Sequence, residues 1–142
     1  MSFIEESLYK EIIKSIPIVC VDIVIRLEDQ FLLVKRKEEP LKGEWWVPGG
    51  RIYLNETLNQ SFRNKLSKEI GLVLKDDVSI IGIYEDFFEN SSKGTHKYHT
   101  VSIVGEINLR SLPEISTDKT ISDWKLFTDL PQRFKNKLMR IK

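Results

Sequence analysis

Apolar residues open the chain at every fourth position: Ile4, Leu8, Ile12 and Ile16, with Glu5, Glu6, Lys10 and Lys14 between them. This spacing predicts an amphipathic helix over residues 1–16, ended before Pro17. The pattern then changes. Ile18 to Leu27 is a β-branched, apolar run broken by Asp22, which reads as a buried strand. Glu28-Asp29-Gln30 is a turn, and Phe31 to Lys35 is the returning strand of a hairpin. Glu38 to Lys42, with Pro40, is a loop. Trp46-Val47-Pro48-Gly49-Gly50 is a short strand breaking into a glycine-rich turn.

A second helix is announced by Thr57-Leu58-Asn59-Gln60, a capping box with Thr57 as N-cap and Gln60 three residues on. Leu58, Phe62, Leu66 and Ile70 form its apolar stripe, and Gly71 stops it. Val78 to Phe88 reads as a long strand, Glu89 to Lys97 as a polar loop, and Thr100 to Leu109 as an alternating strand. Trp124 to Phe127 is a last short strand. Leu130 to Ile141 carries Phe134, Leu138 and Ile141 at helical spacing. Helix, strands, helix, strands, helix predicts an α/β fold: a mixed sheet covered on both faces.

Composition narrows the function. The chain has 142 residues, 41% hydrophobic and 30% charged, as in a globular protein of one domain, 1–142. A net charge of +1 offers no overall field for nucleic acid or a membrane. No apolar run approaches the ~20 residues of a membrane span, and no apolar signal segment opens the chain. The single cysteine, Cys20, excludes an internal disulfide framework and suits a cytoplasmic setting. Its apolar neighbours predict a small buried side chain, not a nucleophile.

The chemistry lies between Gly50 and Leu72. Five residues separate Gly50 from Glu56, and Glu69-Ile70-Gly71-Leu72 begins thirteen residues after Glu56. This segment resembles the Nudix box, the signature of hydrolases acting on a nucleoside diphosphate linked to another group. The family pattern is Gly, five residues, Glu, seven residues, then Arg-Glu-aliphatic-x-Glu-Glu-x-Gly-aliphatic. The chain keeps Gly50, Glu56, Leu66, Glu69, Gly71 and Leu72. Asn64 stands in place of Arg, and Lys65 and Lys68 in place of Glu. The resemblance runs further, through Leu32-Leu33-Val34-Lys35-Arg36 and Gly43-Glu44-Trp45-Trp46-Val47-Pro48-Gly49-Gly50-Arg51. These runs are similar to the GDP-mannose mannosyl hydrolase branch, whose acidic cluster is also reduced.

The resemblance implies a Nudix-type α/β/α sandwich, and its branch forms dimers through the N-terminal helix, so a homodimer is expected. It implies Mg²⁺, with Mn²⁺ as the alternative, held by Glu69, the Gly49 carbonyl and substrate phosphates. Arg36 and Arg51 match the branch's diphosphate-binding positions, where planar multi-donor groups suit the ligand. Asp22, costly to bury without a partner, matches a residue that positions the sugar. The branch's Gln-His pair falls here on Thr120 and Ile121, so the base comes from elsewhere or is absent. His99 is the candidate, with Glu85, Asp86, Glu89, Asp118 and Asp123 as weaker acidic ones. Of Trp45 and Trp46, alternation points one inward.

The implied activity is metal-dependent hydrolysis of a nucleotide sugar, GDP-mannose or a related GDP-hexose, giving GDP and free sugar. Two alternatives stay open. One is cleavage of a P–O bond, releasing a nucleoside monophosphate. The other is a weakly active module that binds nucleotide sugars.

Overall fold

A computed structural model describes residues 4–141. Its elements in chain order are α1 (Glu6–Ser15), β1 (Ile18–Leu27), β2 (Gln30–Arg36), β3 (Trp45–Trp46), β4 (Gly49–Arg51), α2 (Leu58–Ile70), β5 (Ser79–Ser91), β6 (Gly94–Leu109), β7 (Ile121–Phe127), α3 (Gln132–Lys137) and β8 (Met139–Arg140). The sheet order is β3-β2-β1-β6-β5-β8, with β4 paired to β1 and β7 to β2. β1 and β6 run parallel at the centre, from Ile18↔Thr100 to Leu27↔Leu109, and the other pairs are antiparallel. The predicted mixed sheet is the observed one.

The unbroken apolar character of β1 follows from its central place. Val21, Ile23 and Ile25 pack on Phe62, Leu66 and Ile70 of α2. Val24 points to the other face, among Trp46, Tyr84, Val104 and Phe134. Phe62, Leu66 and Ile70 are fully buried. Each adds about 1.5–3 kcal/mol of hydrophobic stabilisation relative to exposure. Thr57 and Gln60 form the predicted reciprocal cap. Gly71 ends the helix at φ 71°, its N–H donating to the Leu66 and Ser67 carbonyls. A residue with a Cβ there would be strained.

Besides β7, which begins at Ile121 rather than Trp124, three boundaries differ from the sequence reading. First, the helix predicted over residues 1–16 is seen over Glu6–Ser15, and residues 1–3 lie outside the described residues. Its buried face is Ile13 with Tyr9 and Ile12, while Leu8 and Ile16 are exposed. A four-residue repeat drifts about 40° per step around a helix. The Ile4–Ile16 line therefore winds away from the sheet, whereas positions 9, 12 and 13 share one face. Second, the polar segment 89–97 is not a loop. β5 and β6 continue through Asn90↔Thr95 and Ser91↔Gly94. Their polar side chains reflect an arm with little core beneath it, and the ladder is built by backbone groups regardless. Third, the last helix is confined to Gln132–Lys137. Leu138 turns extended, and Met139–Arg140 pair with Gly82 and Ile83 on the open edge of β5. Among the described residues no helix is long and apolar enough to cross a membrane.

Candidate active site

The site grows from the contact between β4 and β1, where Gly49 pairs with Asp22 and Arg51 with Cys20. Gly49 permits a close approach. A Cβ there would collide with the Asp22 carboxylate and the Val21 carbonyl, both in front of it. The Gly49 N–H donates to Glu69 Oε2 at 3.0 Å, tying the last turn of α2 to the Pro-Gly-Gly turn. Glu69 is buried, and burial pushes its carboxyl up to about 8 against the lowering effect of that bond; the nearby Asp118 and Asp22 carboxylates add to the rise. Asp118 is held by the Thr120 N–H and hydroxyl, which donate to its Oδ1 at 2.9 and 2.6 Å.

Asp22 is also buried, and burial raises its carboxyl to about 7. Hydrogen bonds from Tyr84 and Ser102 and the positive field of Arg36 oppose the rise. The Tyr84 hydroxyl donates to Asp22 Oδ2 and accepts from Trp46 Nε1 at 3.3 Å. A β-bulge between Lys35 and Arg36 redirects the end of β2. Arg36 Nε donates to the Pro40 carbonyl at 2.6 Å. The Arg51 guanidinium lies between two rings, 5.1 Å from Tyr9 and 4.7 Å from Tyr53. Thus α1 reaches the site through Tyr9.

These residues line two connected hollows. An inner chamber of about 140 Å³ is walled by Asp22, Trp46, Tyr84, Tyr98, Thr100 and Ser102. An outer basin of about 360 Å³ is walled by Glu69, Asp118, Thr120, Lys65, Lys68 and Lys93. Tyr9, Arg36, Gly49, Gly50 and Arg51 belong to both.

A family model described as NUDIX domain matches residues 17–137. The chain is 34% identical over 123 residues to the low-salt glycan biosynthesis protein Agl8 of Haloferax volcanii, covering 84% of this chain and 76% of that protein. The chain belongs to the Nudix family. It is also 34% identical over 88 residues to an ADP-ribose pyrophosphatase of Methanocaldococcus jannaschii, covering 62% of this chain and 48% of that one. Among solved structures it resembles a bifunctional NMN adenylyltransferase/ADP ribose pyrophosphatase of Francisella tularensis complexed with AMP and a manganese ion. That match has a TM-score of 0.63 at 26% identity, covering 92% of this chain and 39% of that one. The chain thus spans less than half the length of these last two proteins.

The Nudix box is intact as a scaffold. Burial pushes the Glu56 carboxyl up, but hydrogen bonds from the Tyr53 N–H and the Asn64 amide outweigh it and hold the group below its ordinary value. Asn64, standing where the family has arginine, thereby keeps a link to Glu56 at 2.7 Å. Nudix hydrolases use divalent metals such as Mg²⁺ or Mn²⁺. Among the described residues no cluster of three or more His, Cys, Asp or Glu side chains forms a metal cage. What the basin offers is Glu69 with Asp118 nearby, two carboxyl groups whose mutual repulsion a dication would relieve, and Glu38 on the same lining. That donor set fits Mg²⁺ or Mn²⁺ bound by one or two carboxylates plus substrate phosphates.

The expectation for His99 is corrected by strand alternation. Tyr98, Thr100 and Ser102 face the inner chamber, so His99 points to the opposite face of β6. There its ring stacks on Phe87 at 4.2 Å and its Nε2 meets Glu85 Oε2 at 3.0 Å. Asp86 is likewise committed, buried against Arg133 and Lys137. Asp123 is exposed and bonds the Trp124 N–H, and Glu89 lines neither hollow. Of the weaker acidic candidates only Asp118 reaches the basin. Trp46 is the inward tryptophan, and Trp45 packs on Phe127 at 5.1 Å. Cys20 is buried and its thiol is pushed up to about 12, as a small apolar filler should be. Tyr9, Tyr84, Tyr98 and Ser102 escaped the sequence reading. For Tyr84, Tyr98 and Ser102 the available signal was a polar residue facing inward from a strand; Tyr9, on α1, carried none.

Proposed function

We propose that this Nudix hydrolase cleaves a nucleoside diphosphate sugar, a GDP-hexose such as GDP-mannose, to GDP and free sugar. One observation carries the reading. Arg36 and Arg51 stand at the junction of a cation-rich basin and a chamber lined by hydroxyls and a carboxylate. A diphosphate joined to a sugar has the chemistry to span both. The guanidinium groups hold the diphosphate and neutralise the leaving group. Asp22, oriented by Tyr84 and Ser102, accepts hydrogen bonds from sugar hydroxyls. Water attacks the anomeric carbon, its bond to the diphosphate oxygen breaks, and GDP departs. Glu69, the Gly49 carbonyl and Asp118 would hold the divalent cation, which when bound supplies further neutralisation of the diphosphate. The glycan-biosynthesis name of the Haloferax relative supports a sugar-linked substrate.

A second reading is favoured by the ADP-ribose pyrophosphatase relative: hydrolysis of the P–O–P bridge, giving a nucleoside monophosphate. Product analysis with GDP-mannose and Mg²⁺ separates the two. GDP and mannose are expected. GMP and mannose 1-phosphate, or no product beside AMP from ADP-ribose, would overturn the first reading. A homodimer and a cytoplasmic setting belong to the same proposal. Exposed Leu8 and Ile16 on the helix, with Val19 and Phe87 on the sheet, support self-association, which light scattering would test.

A further inference from the structure

The outer basin holds more positive charge than a metal site needs, and one of its cations is built in an unusual way. Lys65 occupies a buried position on α2. Its stem lies against the glycine turn, so close that a Cβ on Gly50 would sit 3.4 Å from its Cε. Its Nζ lies 3.9 Å from the Tyr53 ring centroid and faces the basin. Among the described residues no carboxylate lies within 4.0 Å of that nitrogen. Lys68 lines the same wall, and the Arg51 guanidinium also lies over the Tyr53 ring, 4.7 Å from its centroid. Buried charges are ordinarily paired, and an ammonium has three hydrogen-bond donors to place. Here three cations converge, and the two carboxylates that act on Lys65 stand beyond ion-pair distance and are bonded elsewhere, Glu69 to the Gly49 N–H and Glu56 to the Tyr53 N–H and the Asn64 amide. Such a cluster is stable when an anion with several oxygens completes it.

We infer that Lys65, supported by Lys68, binds the phosphates of the substrate directly, so that this chain holds a diphosphate without a divalent metal. The inference rests on the reading of the basin as a diphosphate site. In this arrangement the ammonium group does by fixed charge part of what a metal ion does in a carboxylate-rich box. Glu69 retains its tie to Gly49 and leaves the metal to the chemical step.

The test uses inorganic pyrophosphate as the probe, in calorimetry with EDTA present. The parent should bind it. Lys65→Met keeps the buried stem and removes the charge, and should weaken binding about 10- to 100-fold. Lys65→Arg should retain binding within a few-fold. Lys65→Glu should bind only when Mg²⁺ is added. Side-chain NMR of the unmodified protein gives an independent readout, should a variant fail to fold. The Lys65 signals should shift with pyrophosphate in EDTA, while those of exposed Lys75 stay in place. Metal-free binding unchanged in Lys65→Met, or absent from the parent, would overturn the inference. GDP-mannose hydrolysis in a parent that binds no pyrophosphate without metal also overturns it and leaves the nucleotide-sugar reading intact. Lysine-dependent, metal-free binding in a protein that hydrolyses no GDP-mannose upholds it and ends that other reading.

Discussion

The inner chamber and the outer basin share Arg36 and Arg51 but treat their polar groups in opposite ways. In the chamber every functional group has a partner: Trp46 donates to Tyr84, and Tyr84 donates to Asp22. In the basin the buried Lys65 ammonium lies over the Tyr53 ring without an ion pair, Lys68 is exposed, and Glu69 has one backbone N–H. A satisfied network fixes orientation, because each member locks the next. An unsatisfied cluster reserves its interaction energy for a ligand. The contrast assigns positioning to the chamber and charge neutralisation to the basin.

The contrast can be broken most forcefully at Glu69. Glu69→Gln removes the anionic ligand while keeping an oxygen for the Gly49 N–H. GDP-mannose turnover with Mg²⁺ should fall on the order of 10²-fold. The melting temperature at pH 7 should not fall, because a carboxyl raised to about 8 is mostly neutral there and an amide replaces it without a charge penalty. Parental kinetics in this variant would remove Glu69 from the machinery.

At the shared wall, Arg51→Lys keeps the charge but loses the planar fork between Tyr9 and Tyr53. Activity should fall about tenfold. Tyr9→Leu should reproduce part of that loss without touching the charge, since it removes one of the two stacking rings. Steady-state kinetics on both variants would show whether the fork matters; equal rates would return Arg51 to a surface role.

The smallest effect belongs to the chamber. Asp22 is raised to about 7 in the folded chain, against about 3.9 in an unfolded one. The folded state therefore holds a proton that the unfolded state has lost. The stability this supplies is full below pH 4 and disappears as pH rises through 7. Thermal melts in EDTA should show the parent losing stability between about pH 4 and 7. Asp22→Asn, which cannot titrate, should flatten that slope by roughly 3–5 °C. A slope unchanged in the variant would mean that Asp22 is ionised throughout.

Legibility followed the range of the forces involved. The α2 cap, stripe and stop were visible because Thr57, Gln60, Leu66 and Gly71 act within a few residues of one another. The glycine turn and the retained Glu69 were visible as a motif. His99 was misplaced because a one-residue step along a strand reverses the side chain, and a linear match does not carry that sign. Lys65 read as the loss of a ligand: Lys68 beside it was visible in the sequence, but the Tyr53 ring beneath its head and the approach of Arg51 were not.

By itself the sequence determined the order of elements, the central buried strand, the capped helix and the family, all consequences of local propensity and short-range patterning. Only the tertiary structure decided which polar groups meet. Asp22, Tyr84 and Trp46 are distant along the chain, and so are Gly49 and Glu69. Their convergence comes from strand pairing and from the packing of α2 on β1. Burial then changed the chemistry of Asp22 and Glu69, because desolvation disfavours charge, and burial is a property of the folded neighbourhood rather than of the residue.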